Sequence, residues 1–115
     1  MIASFACKNI DSADIIKCSF NLNKTEYTLF LFLISSKELK SIKGLSNELS
    51  LDRSTIQKAI KSLTEKNIVK RIQTNLTTGG YSFSYTIKDK KELKNNILKS
   101  IDEWYNSVKK MIFKW

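Results

Sequence analysis

The amino-acid sequence predicts a mainly α-helical α+β fold with one small β-hairpin and a long C-terminal helix. Three observations within residues 41–85 support this prediction. A short segment with helical spacing leads into a tight turn, a second helix with one polar face follows the turn, and a glycine-tipped hairpin comes last. This order of elements is that of a winged helix-turn-helix, a unit that lays one helix in a DNA groove.

Residues 1–36 are predicted to form scaffold helices. Residues 12–20 have the length of a short helix that packs on the core or on a partner subunit. Asn23 and Glu26 have the spacing of a capping box. The residues that follow, 27–34, are apolar on nearly every side, as in a helix buried between others. We therefore expect their aromatic side chains to lie in the core, and a ligand pocket beside them is the alternative.

The helix-turn-helix is predicted over residues 41–66. Ser41 can cap a short first helix whose inward side chains are Leu45 and Leu49. Residues 50–52 then form the turn.

The second helix of this unit has one apolar and one polar side. Asp52 stands at its N-cap position, and Asn67 closes it as a left-handed cap. Apolar residues recur at i, i+3, i+4 and i+7, which predicts a buried stripe. The stripe consists of Ile56, Ala59, Ile60 and Leu63. The opposite side and its margins hold Ser54, Gln57, Lys58, Lys61, Ser62 and Glu65.

The hairpin, or wing, is predicted from residues 68–75, a loop at 76–80 and a returning strand at 81–87. In the returning strand, aromatic and aliphatic residues alternate with Ser and Thr, which is the period of a strand with one buried face. Gly79 and Gly80 allow positive φ at the turn. Thr77 and Thr78 make the tip polar.

The C-terminal segment, 89–115, predicts one long helix that begins at a second capping box, Asp89 and Glu92. Its apolar residues are spaced by alternating steps of four and three, which suits pairing of the helix with its copy. The seam and its widened edge include Ile97, Ile101, Trp104, Tyr105, Val108, Met111 and Ile112. The helix could instead fold back on its own subunit, and a membrane-surface helix ranks last.

Length and composition limit the chain to one domain with a modest core, since it has 115 residues, 42% of them hydrophobic. No apolar run approaches the roughly 20 residues that cross a bilayer. The N-terminus has no secretory signal pattern. We expect a cytoplasmic protein without a membrane partner.

Positive charge is concentrated on the predicted helix-turn-helix and on the last helix. The net charge is +9, from 20 basic and 11 acidic residues. Residues 1–36 hold three of each, residues 37–71 hold nine basic and four acidic, and residues 88–115 hold eight and four. A polyanion is the natural partner. The alternative is that the lysine-rich faces only keep a helical protein in contact with water and bind no polyanion.

The composition argues against an enzyme. The sequence has no His, which removes the usual general base, the Ser-His and Cys-His nucleophile pairs and most zinc sites. Cys7 and Cys18 are too few and too far apart for a metal knuckle, and we expect reduced thiols there, with an intersubunit redox switch as the alternative. We expect no cofactor and no metal.

Three stretches carry a family resemblance: LNKTEYTLFLFL, DRSTIQKAIKSLTEKNIVKR and GGYSFSY. They resemble the DNA-binding domain of the archaeal TrmB-like regulators, and more widely the MarR-type winged-helix proteins. The resemblance spans residues 22–87 and implies DNA binding. Where the family has a helix-ending glycine and wing arginines, this chain has Asn67, Thr77 and Thr78. The chain is too short to include the family's sugar-binding domain, so sugar sensing is not carried over.

These observations predict a homodimeric, sequence-specific regulator that binds double-stranded DNA, with the helix at 53–66 in the major groove and the hairpin at 68–87 as wing. The predicted DNA-binding residues are Ser41, Lys43, Arg53, Ser54, Thr55, Gln57, Lys58, Lys61, Thr77 and Thr78. The sequence names no effector ligand and does not give the sign of regulation. A non-specific architectural or protein-interaction module is the alternative function.

Overall fold

The computed structural model describes residues 2–36 and 38–115 and confirms the predicted fold class. Within these described residues, five helices and two small antiparallel hairpins form an α+β winged-helix fold. The elements, in chain order, are β1 Ile2–Phe5, β2 Lys8–Asp11, α1 Ser12–Phe20, α2 Lys24–Ser35, α3 Ile42–Leu49, α4 Arg53–Glu65, β3 Val69–Asn75, β4 Tyr81–Ile87 and α5 Lys90–Phe113.

The chain divides into two compact units, and the winged helix is the unit Lys24–Lys90. In this unit α4 packs against both α2 and α3, while the wing strands contact α2 and α4. The predicted apolar stripe of α4 is buried as expected. The core of the unit consists of Leu29, Phe30, Leu33, Leu45, Ile56, Ala59, Ile60, Leu63, Ile68, Val69, Tyr85 and Ile87.

The turn between α3 and α4 is held by short-range hydrogen bonds. The Ser41 hydroxyl accepts from the Gly44 N–H at 3.0 Å, so Ser41 is the N-cap of α3, as predicted. Ser50 ends α3 in the left-handed region, at φ 55°. The Ser46 hydroxyl donates to the Leu51 carbonyl and so fixes the turn before α4 begins.

The C-terminal end of α4 is closed by Asn67, as the sequence predicted. Asn67 has φ 61°, a conformation that Asn adopts more readily than most residues. The next N–H, that of Ile68, donates to the Leu63 carbonyl at 3.0 Å. This arrangement satisfies an otherwise free helix carbonyl and turns the chain into β3.

The first wing strand begins at Val69, one residue later than predicted, and the returning strand has the predicted bounds. The register runs from Val69 opposite Ile87 to Asn75 opposite Tyr81. Gly79 and Gly80 take the positive φ values that the loop requires, 95° and 79°. A strand-like pair that the sequence did not predict adds to the edge of β4. Lys40 and Tyr85 exchange two backbone hydrogen bonds, of 3.1 and 2.8 Å.

The second unit combines the residues up to Asn23 with Lys91–Trp115. It contains a hairpin, β1 paired with β2, that the sequence analysis did not predict, because its turn at Ala6 and Cys7 lacks glycine. The helix α1 is confirmed with its predicted bounds. Of the described residues in this unit only Leu22 and Leu93 are buried.

The long helix α5 is confirmed over most of its predicted length. Among the described helices of both units, none combines the length and the apolar character needed to cross a bilayer.

Candidate nucleic-acid interface

The polar face of α4 is exposed over its whole length. Because the apolar stripe of α4 is buried against α2 and α3, the opposite face is directed to solvent. The predicted residues on this face are therefore brought together on one helix. Arg53, Ser54, Gln57, Lys58 and Lys61 are exposed and Thr55 is half-buried.

The N-terminus of α4 is organised around Asp52, which has the extended backbone of an N-cap residue. Its carboxylate accepts from the Ser54 hydroxyl at 2.9 Å rather than from a backbone N–H within hydrogen-bond geometry. Hydrogen bonds from the hydroxyls of Thr55 and then Ser54 lower the pKa of Asp52. Ser54 therefore donates its hydroxyl proton to the N-cap residue Asp52, and this proton is not free for a DNA base.

The remaining predicted DNA-binding residues lie on α3 and on the wing loop. Ser41 and Lys43 are exposed at the N-terminal turn of α3, where Ser41 also acts as the cap. Thr77 and Thr78 are exposed at the tip of the wing. All four are accessible to a ligand.

The orientation of α4 depends on a buried acid that the sequence analysis assigned only to a cap. Glu26 of α2 is 5% exposed. Its carboxylate accepts a hydrogen bond from the Ser62 hydroxyl and lies 3.3 Å from the Lys66 Nζ. An acidic side chain directly before the mainly apolar residues 27–34 was the available signal, because such groups are buried only when they are paired.

An open cleft of about 580 Å³ separates the C-terminal half of α4 from the wing. It carries both charged and apolar side chains. Its lining residues are Ile42, Gln57, Ile60, Lys61, Thr64, Glu65, Arg71 and Tyr85. Gln57 and Lys61 thus border the cleft as well as the exposed face of the helix.

The wing carries an aromatic and cationic cluster that the sequence analysis did not single out. The rings of Tyr81 and Phe83 have centroids 5.2 Å apart. The Arg71 guanidinium carbon lies 4.1 Å from the Phe83 ring centroid. The alternation of β4 placed these rings on one face, but it predicted that the face would be buried. On this face of β4, only Tyr85 and Ile87 at the inner end of the strand are buried.

The predicted dimer-interface residues form an exposed apolar stripe on α5. Trp104, Tyr105 and Met111 are each more than half exposed, Ile101 and Ile112 are also exposed, and Ile97 and Val108 are half-buried. Within the same unit, Ile101 and Trp104 also face α1 across an open, mainly apolar cleft of about 480 Å³.

The two cysteines, Cys7 and Cys18, are exposed free thiols. Across residues 2–36 and 38–115, no cluster of three His, Cys, Asp or Glu side chains is arranged to hold a metal ion.

Comparisons with known proteins match nearly the whole chain. It is 30% identical over 98 residues to the uncharacterized protein MJ1503 of Methanocaldococcus jannaschii, covering 85% of this chain and 74% of the relative. It is 28% identical over 105 residues to the uncharacterized protein MJ1082 of the same organism, covering 91% of this chain and 86% of the relative.

Two solved structures share the fold. A possible transcriptional regulator from Methanosarcina mazei Go1 superposes with a TM-score of 0.87 at 34% identity, covering 100% of this chain and 97% of the other. The ST1889 protein of the thermoacidophilic archaeon Sulfolobus tokodaii superposes with a TM-score of 0.70 at 18% identity, covering 83% and 92%. The second likeness concerns the fold alone.

These matches support the coarser part of the resemblance noted in the sequence, a regulator-like winged helix. The narrower TrmB-like or MarR-type assignment depends on the quoted motifs alone. The profile of the DnaD N-terminal domain matches residues 13–108, which include nearly all of α1, the complete helix-turn-helix and wing, and most of α5. On this match the chain belongs to the DnaD N-terminal domain family.

Proposed function

We propose that this chain is a homodimeric transcriptional regulator that binds duplex DNA in a sequence-specific manner. The observation that carries the proposal is the two-sided character of α4. Its apolar stripe is buried in the core, and its exposed face combines hydrogen-bonding side chains with positive charge. A helix of this kind, exposed after a tight turn, can enter the major groove while its own unit stays folded.

Base reading is assigned to Gln57 and Lys58 in the middle of the exposed face, with Ser54 nearer the cap. The amide of Gln suits adenine and the ammonium of Lys suits guanine. Ser54 contributes as an acceptor, since its proton is donated to Asp52.

Contacts to the DNA backbone are assigned to the flanking residues. Arg53 and Thr55 lie in the first turn of α4, where free backbone N–H groups favour a phosphate, and Lys61 lies two turns further on. Ser41 and Lys43 at the start of α3 and Thr77 and Thr78 at the wing tip complete the set. These contacts position the protein and carry little sequence information.

Dimerisation is assigned to α5, through the exposed stripe that begins at Ile97 and includes Trp104 and Met111. Apolar side chains of this size are seldom exposed in such number along one helix, because water contact costs free energy that pairing with a second copy recovers. Two recognition helices related by a two-fold axis and about 34 Å apart would read a roughly palindromic site.

The comparisons support the proposal at the level of the fold. The Methanosarcina mazei protein is described as a possible transcriptional regulator, and it shares 34% of its residues with this chain. The TrmB-like resemblance of residues 22–87 points in the same direction. We further propose a non-enzymatic, cytoplasmic role.

A second candidate is an architectural or protein-interaction module. It is favoured by the wing loop, residues 76–80, which contains no charged side chain. A wing loop without cations gives little help in following a phosphate backbone, so duplex binding would depend mainly on α4.

Anisotropy titrations distinguish the candidates. The protein is titrated against random duplexes and against sequences recovered by selection, at two salt concentrations. A palindrome bound about a thousandfold more tightly than random DNA supports the regulator. Uniform, steeply salt-dependent binding supports the architectural role, and the absence of binding supports a protein partner.

A further inference from the structure

The outer half of the wing presents an aromatic ring to solvent. Tyr81 is 59% exposed at the start of β4, and Phe83 supports its ring at a centroid distance of 5.2 Å and an interplanar angle of 59°. We propose that Tyr81 is a stacking platform for an unpaired base and that the wing binds single-stranded nucleic acid. This activity goes beyond the proposed duplex recognition by α4 and does not depend on it.

Arg71 packs on Phe83, which supports Tyr81, and adds a positive charge beside the two rings. Its guanidinium covers one face of the Phe83 ring, with Cζ 4.1 Å from the centroid. Phe83 is thus half-buried while Tyr81 stays open, so the free aromatic surface is that of Tyr81. Arg71 itself is exposed, and its N–H groups remain available to a phosphate.

The same face of the wing provides hydrogen-bonding groups beside the ring. Asn75 is paired with Tyr81 across the ladder, and Gln73 is paired with Phe83. Directly opposed residues in an antiparallel pair project from the same face of the sheet. Both amides are exposed, and each offers donors and an acceptor to the edge of a stacked base.

The positive charge of the wing favours an anionic partner. Residues 69–87 contain Lys70 and Arg71 and no acidic residue. The adjoining cleft of about 580 Å³ is lined by Arg71 and by Lys61 of α4, together with the acidic Glu65. A groove with cations beside an exposed aromatic ring is the arrangement by which proteins hold single strands, with phosphates on the cations and bases on the ring.

A duplex fits this surface less well than a single strand. Bases in a duplex are already stacked on one another, so an exposed ring gains a partner only where a base is unpaired. The tip loop beyond Tyr81 also lacks the Arg or Lys side chains that read a minor groove. The unpaired strand is therefore the occupant that uses both the ring and the cations.

The test compares three variants on two ligands by fluorescence anisotropy. A labelled oligothymidylate reports single-strand binding, and a selected duplex, or a random one if selection recovers none, reports duplex binding. Tyr81→Leu removes the π face but keeps an apolar side chain, whereas Tyr81→Phe keeps the ring. Thr74→Ala changes an exposed side chain on the opposite face of the wing, where Thr74 pairs with Ser82, and serves as the matched control.

We expect Tyr81→Leu to weaken oligothymidylate binding at least about fivefold, since stacking on one aromatic residue is worth that much or more. Tyr81→Phe and Thr74→Ala should each stay within about twofold of the native protein on this ligand. Photocrosslinking of the native protein to an oligonucleotide containing 5-iodouracil should join the base to Tyr81, as mass spectrometry would show.

The proposal is overturned if the native protein does not bind oligothymidylate, or if Tyr81→Leu binds it as the native protein does. It is also overturned if Tyr81→Leu weakens only duplex binding, which would indicate insertion into a groove. Circular dichroism of each variant checks the helical content, and the crosslink needs no variant. Single-strand binding without duplex binding would retain this inference and remove the proposed regulator function.

Discussion

The Nζ atom of Lys66 lies 3.3 Å from Oε2 of Glu26, which joins the C-terminal end of α4 to the N-terminal turn of α2. The carboxylate is almost fully buried, whereas the Lys66 side chain keeps 29% of its surface exposed. The Ser62 hydroxyl, one turn before Lys66, donates to the same oxygen. One buried acidic group therefore ties α4 to α2, in addition to the packing of the apolar stripe.

Glu26→Ala should destabilise the winged helix. Breaking a buried ion pair costs about 3–5 kcal/mol, and we expect the lower end because Lys66 stays partly hydrated. Urea unfolding followed by circular dichroism gives the change in the free energy of unfolding. Glu26→Gln keeps the shape and one acceptor and should cost less. Equal stability of Glu26→Ala and the native protein would show that the pair does not hold α4.

Gln57→Ala and Lys61→Ala should affect DNA binding in different ways. Loss of Gln57 should change the preferred base at one position, with a discrimination loss of about 1–3 kcal/mol. Loss of Lys61 should weaken all duplexes alike and reduce the salt slope by about one. Anisotropy against a set of single-base operator variants at several salt concentrations separates the two effects. A uniform loss for both variants would remove Gln57 from the base-reading set.

Met111→Asp should dissociate the proposed dimer. Met111 is 58% exposed, so the subunit can accept the carboxylate, whereas an apolar interface cannot bury it unpaired. Sedimentation equilibrium should give the mass of a monomer. Circular dichroism should show that the helical content is unchanged. Asn106→Asp adds the same charge on the opposite side of α5 and is the matched control. If Asn106→Asp dissociates the dimer and Met111→Asp does not, the interface lies on the other face.

Asp52→Ala should lower the melting temperature, and Asp52→Asn should lower it too, because the Asp52 side chain accepts from the Ser54 hydroxyl and not from a backbone N–H, and Asn lacks the charge. The folded-state pKa of Asp52 lies below its ordinary value of 3.8. The stabilisation is therefore complete above that pH and is lost as the pH falls through the lower, folded-state pKa. Thermal melts of the native protein and Asp52→Ala should differ at neutral pH and converge in acid. A constant difference across this range would exclude the charge of Asp52 as the cause.

The helix-turn-helix and wing could be predicted because their signals are local. The stripe from Ile56 to Leu63 repeats at the helical period within eight residues. Asn67 and the Gly79-Gly80 pair are the residue types that tolerate positive φ, and the structure places them there. In these segments the backbone preference, the hydrophobic pattern and the tertiary packing agree.

The features that the sequence analysis missed depend on partners distant in the chain or on turns without a signal. Glu26 meets Ser62 and Lys66 from 36 and 40 residues away. Arg71 reaches Phe83 across the hairpin, and periodicity alone does not say which outer residues stay uncovered. The β1–β2 hairpin turns at Ala6 with φ 51°, where a residue with a Cβ is uncommon.

The backbone pair between Lys40 and Tyr85 couples two parts of the winged helix mechanically. Lys40 immediately precedes the cap of α3, and Tyr85 lies on the inner half of the returning wing strand. The two hydrogen bonds restrict relative movement of the two segments, because neither residue can shift along the strand without breaking both bonds. A force on the wing strand would therefore reach the start of α3 through these two hydrogen bonds.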